Sequence, residues 1–140
     1  MPFVVRLKEV GATTYVSRAR ALRPEEIDAF VTGTIRDLRG GHPSADRPFT
    51  LYHGCDADER QLVEVCLPTA SGHERLQAGR VAYTVARGVQ CDYPAITKAY
   101  DSVARFLEEQ GLTPAGPPRE TYLSEPDADE PVMEVAFPVD

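Results

Sequence analysis

The sequence predicts an α+β fold: a tandem duplication of a βαββ module with pseudo-twofold symmetry, its antiparallel sheet forming a concave groove and its two main helices on the outer face. Three observations lead there. Residues 48–68 and 118–138 share a pattern at a constant offset of 70, pairing Tyr52 with Tyr122, Glu64 with Glu134, Val65 with Val135 and Pro68 with Pro138. Each half carries one apolar stripe of helical period. Each half also ends in two short runs that alternate as strands do, joined by an acidic turn.

The elements follow in order. Extended segments rich in Val, Thr and Tyr run from Phe3 to Arg18 and from Leu76 to Arg87, a composition suited to strands. At the same offset Thr14 matches Thr84, Pro24 matches Pro94 and Phe30 matches Tyr100. Ile27, Phe30, Val31, Ile35 and Leu38 share a helical face that begins near Pro24 and stops at Gly40-Gly41, since proline suits the first helical turn and glycine its end. In the second half Asp92 is the expected N-cap before Pro94, and Ile96, Tyr100, Val103 and Leu107 repeat at helical spacing up to Gly111. Polar loops follow at 42–47 and 113–117, then paired strands whose turns read Asp56-Ala57-Asp58-Glu59 and Asp127-Ala128-Asp129-Glu130. These turns lack the glycine and spaced oxygens of a calcium loop, so no metal is expected. Residues 69–74 read as the link between a first repeat at about 1–69 and a second at about 75–140, in one domain spanning 1–140.

Strand alternation assigns faces. Met133, Val135 and Phe137, like Val63, Val65 and Leu67, form an apolar face expected under the helix, whereas Glu134 and Glu64 point the other way, flanked by Val132, Ala136, Leu62 and Cys66. Placing Leu51 and Leu123 in the core puts Tyr52 and Tyr122 on the glutamates' face. A solvated antiparallel face should be mostly polar, and this one is not. A carboxylate among apolar and aromatic side chains suits an organic cation.

Composition narrows the partners. Fifteen Lys and Arg stand against 22 Asp and Glu, for a net charge of −7, and a polyanion such as nucleic acid is bound by clustered basic residues. No direct nucleic-acid binding is expected. No secretory signal and no membrane-length apolar run are found, and Cys55, Cys66 and Cys91 are too few and too scattered for a disulfide framework. A cytoplasmic location follows as the expectation. No GxSxG surrounds any serine, and His53-Gly54-Cys55 supplies only two potential zinc ligands.

Four segments taken together carry a resemblance: Leu76-Gln77-Ala78-Gly79-Arg80-Val81-Ala82; the run from Ala99-Tyr100-Asp101 to Gly111-Leu112; Pro117-Pro118-Arg119-Glu120-Thr121-Tyr122-Leu123; and Met133-Glu134-Val135-Ala136-Phe137-Pro138-Val139. In this order they resemble the GyrI-like small-molecule-binding domains, the effector-binding domains of bacterial transcription activators, over essentially the whole chain. The resemblance implies tandem βαββ modules, no cofactor, and an acidic residue of the last strand, here Glu134, that receives lipophilic cations in an aromatic pocket. The expected ligand-binding set is Glu134, Tyr122, Glu64, Tyr52, Tyr83, Ala136 and Cys66, with Tyr83 equally suited to core packing. No helix-turn-helix precedes Phe3, so a stand-alone multidrug-binding protein is expected rather than a complete regulator.

Charge and stacking alone fall short of micromolar affinity, which requires about 8 kcal/mol. Apolar burial must supply the rest, favouring flat lipophilic cations of broad variety. Two other functions use the same surfaces. Some members of the family hydrolyse cyclopropane-containing genotoxins, for which Glu134, Glu64 and Tyr122 would serve as acid, base and orienting group. Alternatively the acidic loops at 56–59 and 125–130 would meet a separate regulator or target protein.

Overall fold

A computed structural model describes residues 3–42, 46–125 and 128–140. Among the described residues, eight strands and two α-helices follow one another as β1 (Arg6–Val10), β2 (Thr13–Leu22), α1 (Pro24–Gly41), β3 (Phe49–Cys55), β4 (Gln61–Pro68), β5 (Glu74–Leu76), β6 (Gly79–Arg87), α2 (Thr97–Gln110), β7 (Arg119–Tyr122) and β8 (Val132–Val139). They form two compact units, one of residues 12–77 and the other of residues 1–11 with 78–140. Neighbouring strands within each unit pair antiparallel.

Both units have one connectivity. In the 12–77 unit the strand order is β5-β2-β4-β3, and in the other it is β1-β6-β8-β7. The extended segment expected from Phe3 to Arg18 is divided at Gly11. Its first part, β1, pairs with β6 of the later sequence, in the place that β5 takes beside β2.

Helix α1 starts at Pro24 as its sequence requires, and the Glu26 side chain accepts the Arg23 backbone N–H at 2.9 Å. That bond satisfies a donor the helix cannot pair internally. Helix α2 starts at Thr97, later than expected, because Gly88–Cys91 forms a 3-10 turn and Asp92 caps the end of that turn rather than the start of the helix. It stops where Gly111 takes φ 66°, with the Leu112 N–H bonded to the Leu107 carbonyl at 2.9 Å, the glycine-dependent termination expected there.

Beneath α2, Ala82, Val103, Leu107 and Val139 form one buried cluster and Ala86, Ile96, Ala99 and Val135 another, with Met133 and Phe137 packed against them. The expected helix-facing set of β8 is therefore the observed one. In the other unit, Val31 and Ile35 of α1 are buried, as are Val63, Val65 and Leu67 of β4. Arg18, which lies opposite Val65, reaches Asp37 of α1 at 3.3 Å, so this is the helix side of that sheet.

The turn after β3 is a hairpin turn held by Asp56, whose Oδ1 accepts the N–H groups of Asp58 and Arg60 at 2.9 Å. Of the second acidic turn, Asp127 lies outside the described residues, as does part of the 42–47 loop. No group of three or more potential metal ligands is found among the described residues. No helix among them is long and apolar enough to cross a membrane.

Gly72 leads into β5, and a Cβ there would fall 2.4–2.5 Å from the backbone N, C and O of Tyr15 in β2. Backbone cannot move aside as a side-chain tip can. Gly72→Ala is therefore expected to lower stability by about 1–3 kcal/mol, whereas Gly11→Ala, with open space around it, should change it little. Urea denaturation of the two variants checks this; equal stabilities would show that β5 yields without cost.

Candidate functional site

Directly opposed residues of antiparallel strands project to the same side of a sheet, so the register fixes which side chains meet. In the 1–11/78–140 unit Glu134 opposes Val85 and Thr121, Ala136 opposes Tyr83 and Arg119, and Tyr83 opposes Arg6. Lys8 lies opposite Val81 on this same, helix-free side. Glu134, Tyr83 and Ala136 are thus brought together on one face, with Arg6, Lys8 and Arg119 around them.

Lys8 organises this face. Its side chain reaches from β1 across β6, placing Nζ 4.3 Å from the centre of the Tyr83 ring and 2.5 Å from Oε2 of Glu134 on β8. The carboxylate is only 13% exposed, its partner 37%. A part-buried carboxylate needs a charged or hydrogen-bonding partner to offset its lost hydration, and the chain supplies one from its own first strand. A carboxylate beside an aromatic ring is what a receptor for an organic cation requires, and here the Lys8 ammonium meets both.

The 12–77 unit treats its glutamate differently. Glu64 opposes Ala19 and Leu51. Its Oε2 accepts the Ser17 hydroxyl at 2.6 Å and its Oε1 lies 2.8 Å from Nε2 of His53. Serine and histidine both bind the carboxylate directly, so histidine is not placed between the other two as a nucleophilic triad requires. Beside them Tyr15, Phe49, Leu51 and Cys66 form a buried cluster with Leu76 packed against it, the Tyr15 and Phe49 rings meeting edge to face at 5.4 Å. Cys66 therefore shares Glu64's face.

Tyr52 and Tyr122 do not. Tyr52 opposes Val63 and Tyr122 opposes Met133, so both lie on the helix side, which corrects the expectation that they flank the glutamates. The reason is Leu51, which is buried but on the helix-free side with Phe49 and Cys66. Because both faces of that sheet are apolar, a buried leucine does not reveal which side is the helix side.

Tyr122 instead belongs to a buried polar cluster under α2. The Glu120 carboxylate accepts the Tyr100 hydroxyl at 2.5 Å and the Tyr122 hydroxyl at 3.5 Å. Burial first, and then the negative charge of Glu120, hold the Tyr100 phenol well above its ordinary value of 10.0. Burial, followed by the same carboxylate, pushes the Cys91 thiol up to about 11. Cys91 is accordingly a thiol at neutral pH and a poor nucleophile.

The sequence does not single out Lys8, Ser17, Tyr15 or Phe49, and it offers His53 only as one of two potential zinc ligands. Arg6 and Lys8 do alternate as strand residues should, but nothing local tells that β1 joins β6 rather than β2.

No family model matches the sequence, and no curated protein matches it either. Solved structures do. The C-terminal domain of EcmrR superposes with a TM-score of 0.80 at 21% identity, covering 100% of this chain and 99% of that one. A hydrolase from Listeria innocua gives 0.64 at 10% identity over 97% and 91%. SAV2435, solved bound to tetraphenylphosphonium, gives 0.59 at 15% identity over 100% and 94%.

Tyr100 keeps its proton in the fold and loses it near pH 10 once unfolded. Above that pH the folded state binds more protons than the unfolded one, so stability falls as pH rises. Tyr100→Phe should flatten this loss between pH 10 and 11.5 by up to about 1.4 kcal/mol per pH unit. Urea unfolding at stepped pH reads it; parallel slopes for both proteins would place the phenol in water. The architecture of this chain, helix-backed antiparallel strands repeated twice, is the GyrI-like fold.

Proposed function

We propose that this chain is a small-molecule-binding domain that receives lipophilic, cationic, aromatic compounds on the helix-free face carrying Glu134 and Tyr83. The observation that carries the reading is the Lys8 ammonium, which rests on the Glu134 carboxylate and over the Tyr83 ring. A primary ammonium already meets there the two groups that a phosphonium or quaternary ammonium would use. That SAV2435 was solved with tetraphenylphosphonium supports the same ligand class for a chain of the same fold. Ala136, buried beside Tyr83, keeps the floor of the face low and apolar. Glu64 and Cys66, with Ser17 and His53, are proposed as a separate contact set of the 12–77 unit.

The affinity would come mainly from apolar area. A cation over an aromatic ring contributes roughly 0.5–2 kcal/mol, against about 8 kcal/mol for micromolar binding. Stacking and one charge fix few directions, so the specificity is broad. Hydrolysis is the weaker reading, because Tyr122, the group that would orient water, points to the helix side and is engaged with Glu120.

Tetraphenylphosphonium and tetraphenylborate have nearly the same shape and opposite charge. Calorimetric titration should show saturable binding of the cation, at least about tenfold tighter than the anion and weakened about tenfold by Glu134→Gln. Equal or preferred binding of the borate would refute the cation reading and assign the face to Arg6, Lys8 and Arg119.

A further inference from the structure

We propose that Lys8 is a built-in competitor for the Glu134 site and sets its ligand specificity. This rests on the cation-binding reading above and concerns the same site. Three observations lead to it. The Lys8 ammonium occupies a position that touches both Glu134 and the Tyr83 ring. It arrives from β1, whose backbone pairs with β6 over five residues independently of where the side chain points, so the side chain can leave without the strand. And Arg6 and Arg119 stand on the same face, opposite Tyr83 and Ala136, so positive charge surrounds the Lys8–Glu134 pair on that face.

Binding is then an exchange. The incoming cation takes the contacts with Glu134 and Tyr83, and Lys8, already 37% exposed, turns its ammonium to water. Coulombic gains and losses nearly cancel, because one positive charge replaces another. A tethered group competes at an effective concentration on the order of millimolar, and a small hydrophilic amine brings nothing to overcome it. Only a ligand that adds apolar area on Tyr83 and its neighbours gains by the exchange. Selectivity for bulky, delocalised cations is therefore a property of Lys8 as much as of the aromatic ring.

The unrelated contacts of Glu64 mark this as a feature of one unit. The strand position corresponding to Lys8 is Glu74, opposite Tyr15 as Lys8 is opposite Val81, and Glu64 is held by Ser17 and His53 instead.

The test is a double-mutant cycle on the whole chain, read by calorimetry with tetraphenylphosphonium. Lys8→Met should tighten binding about tenfold, and the same substitution in a Glu134→Gln background should have no effect. Lys8→Gln, which removes the charge but keeps a polar side chain, should tighten it in the same direction and covers a Met variant that folds poorly. Unchanged or weaker binding in both Lys8 variants, with Glu134→Gln still impaired, would overturn the competition and leave the cation site standing. Tightening that persists without the Glu134 carboxylate would overturn it too, as added apolar contact. Binding indifferent to Glu134→Gln would remove both the competition and the site it depends on.

Discussion

Everything on the helix-free face depends on the register of β8 between β6 and β7. With Val135 opposite Thr84 and Glu120, the side chains of Met133, Val135 and Phe137 turn to α2 and seal it, and Glu134 and Ala136 turn away beside Tyr83. A slip of one residue would exchange the two sets, putting a carboxylate under the helix and three large apolar groups in its place. The buried clusters under α2 therefore do more than stabilise the unit. They hold Glu134 on the side where Lys8 can reach it, so the geometry of the site follows from the packing of the core on the opposite face.

The two units share this scaffold and differ in what stands on it. Glu64 and Glu134 remain at an offset of 70, but the strands next to them do not keep that offset: Ser17 opposes Cys66 where Tyr83 opposes Ala136, an offset of 66. The match of Thr14 with Thr84 is thus a coincidence of sequence, and the structural counterpart of Tyr83 is a serine. Lys8 is likewise replaced by Glu74. One carboxylate is compensated by an ammonium over a ring, the other by a hydroxyl and an imidazole. Under α2 the buried carboxylate Glu120 has Thr50 as its counterpart at the 70 offset, a neutral residue that is fully buried and needs no phenols to offset a charge.

What the sequence made legible was whatever is repeated or periodic. The stripe Ile96, Tyr100, Val103 and Leu107 announces α2, and Met133, Val135 and Phe137 announce the buried face of β8, because burial on one side leaves a period. Glu134 followed from that same alternation. The faces of Tyr52 and Tyr122 did not: Leu51, which sets the parity of Tyr52, sits on a sheet that buries apolar groups on both sides, and Leu123, which sets that of Tyr122, lies past the end of β7 and is only half-buried. Where both faces are dry, hydrophobicity carries no information about direction, and only the partner strand decides. Lys8 was hidden for another reason: its role depends on β1 crossing to a strand more than seventy residues away, which no local pattern encodes.

The position of Lys8 also resolves an apparent conflict between the charge of the chain and the function proposed for it. A net charge of −7 suggests a surface that gathers cations, yet the face carrying Glu134 holds Arg6, Lys8 and Arg119. A bare carboxylate on an apolar face would carry a large desolvation cost in the empty protein, and it would also bind any small cation, including abundant inorganic ones that bring no apolar area. Compensating it internally removes both problems. On the proposed reading, the stable resting state and the discrimination against hydrophilic cations would have the same origin, one ammonium on one edge strand, and the ligand's apolar surface would decide whether it displaces that ammonium.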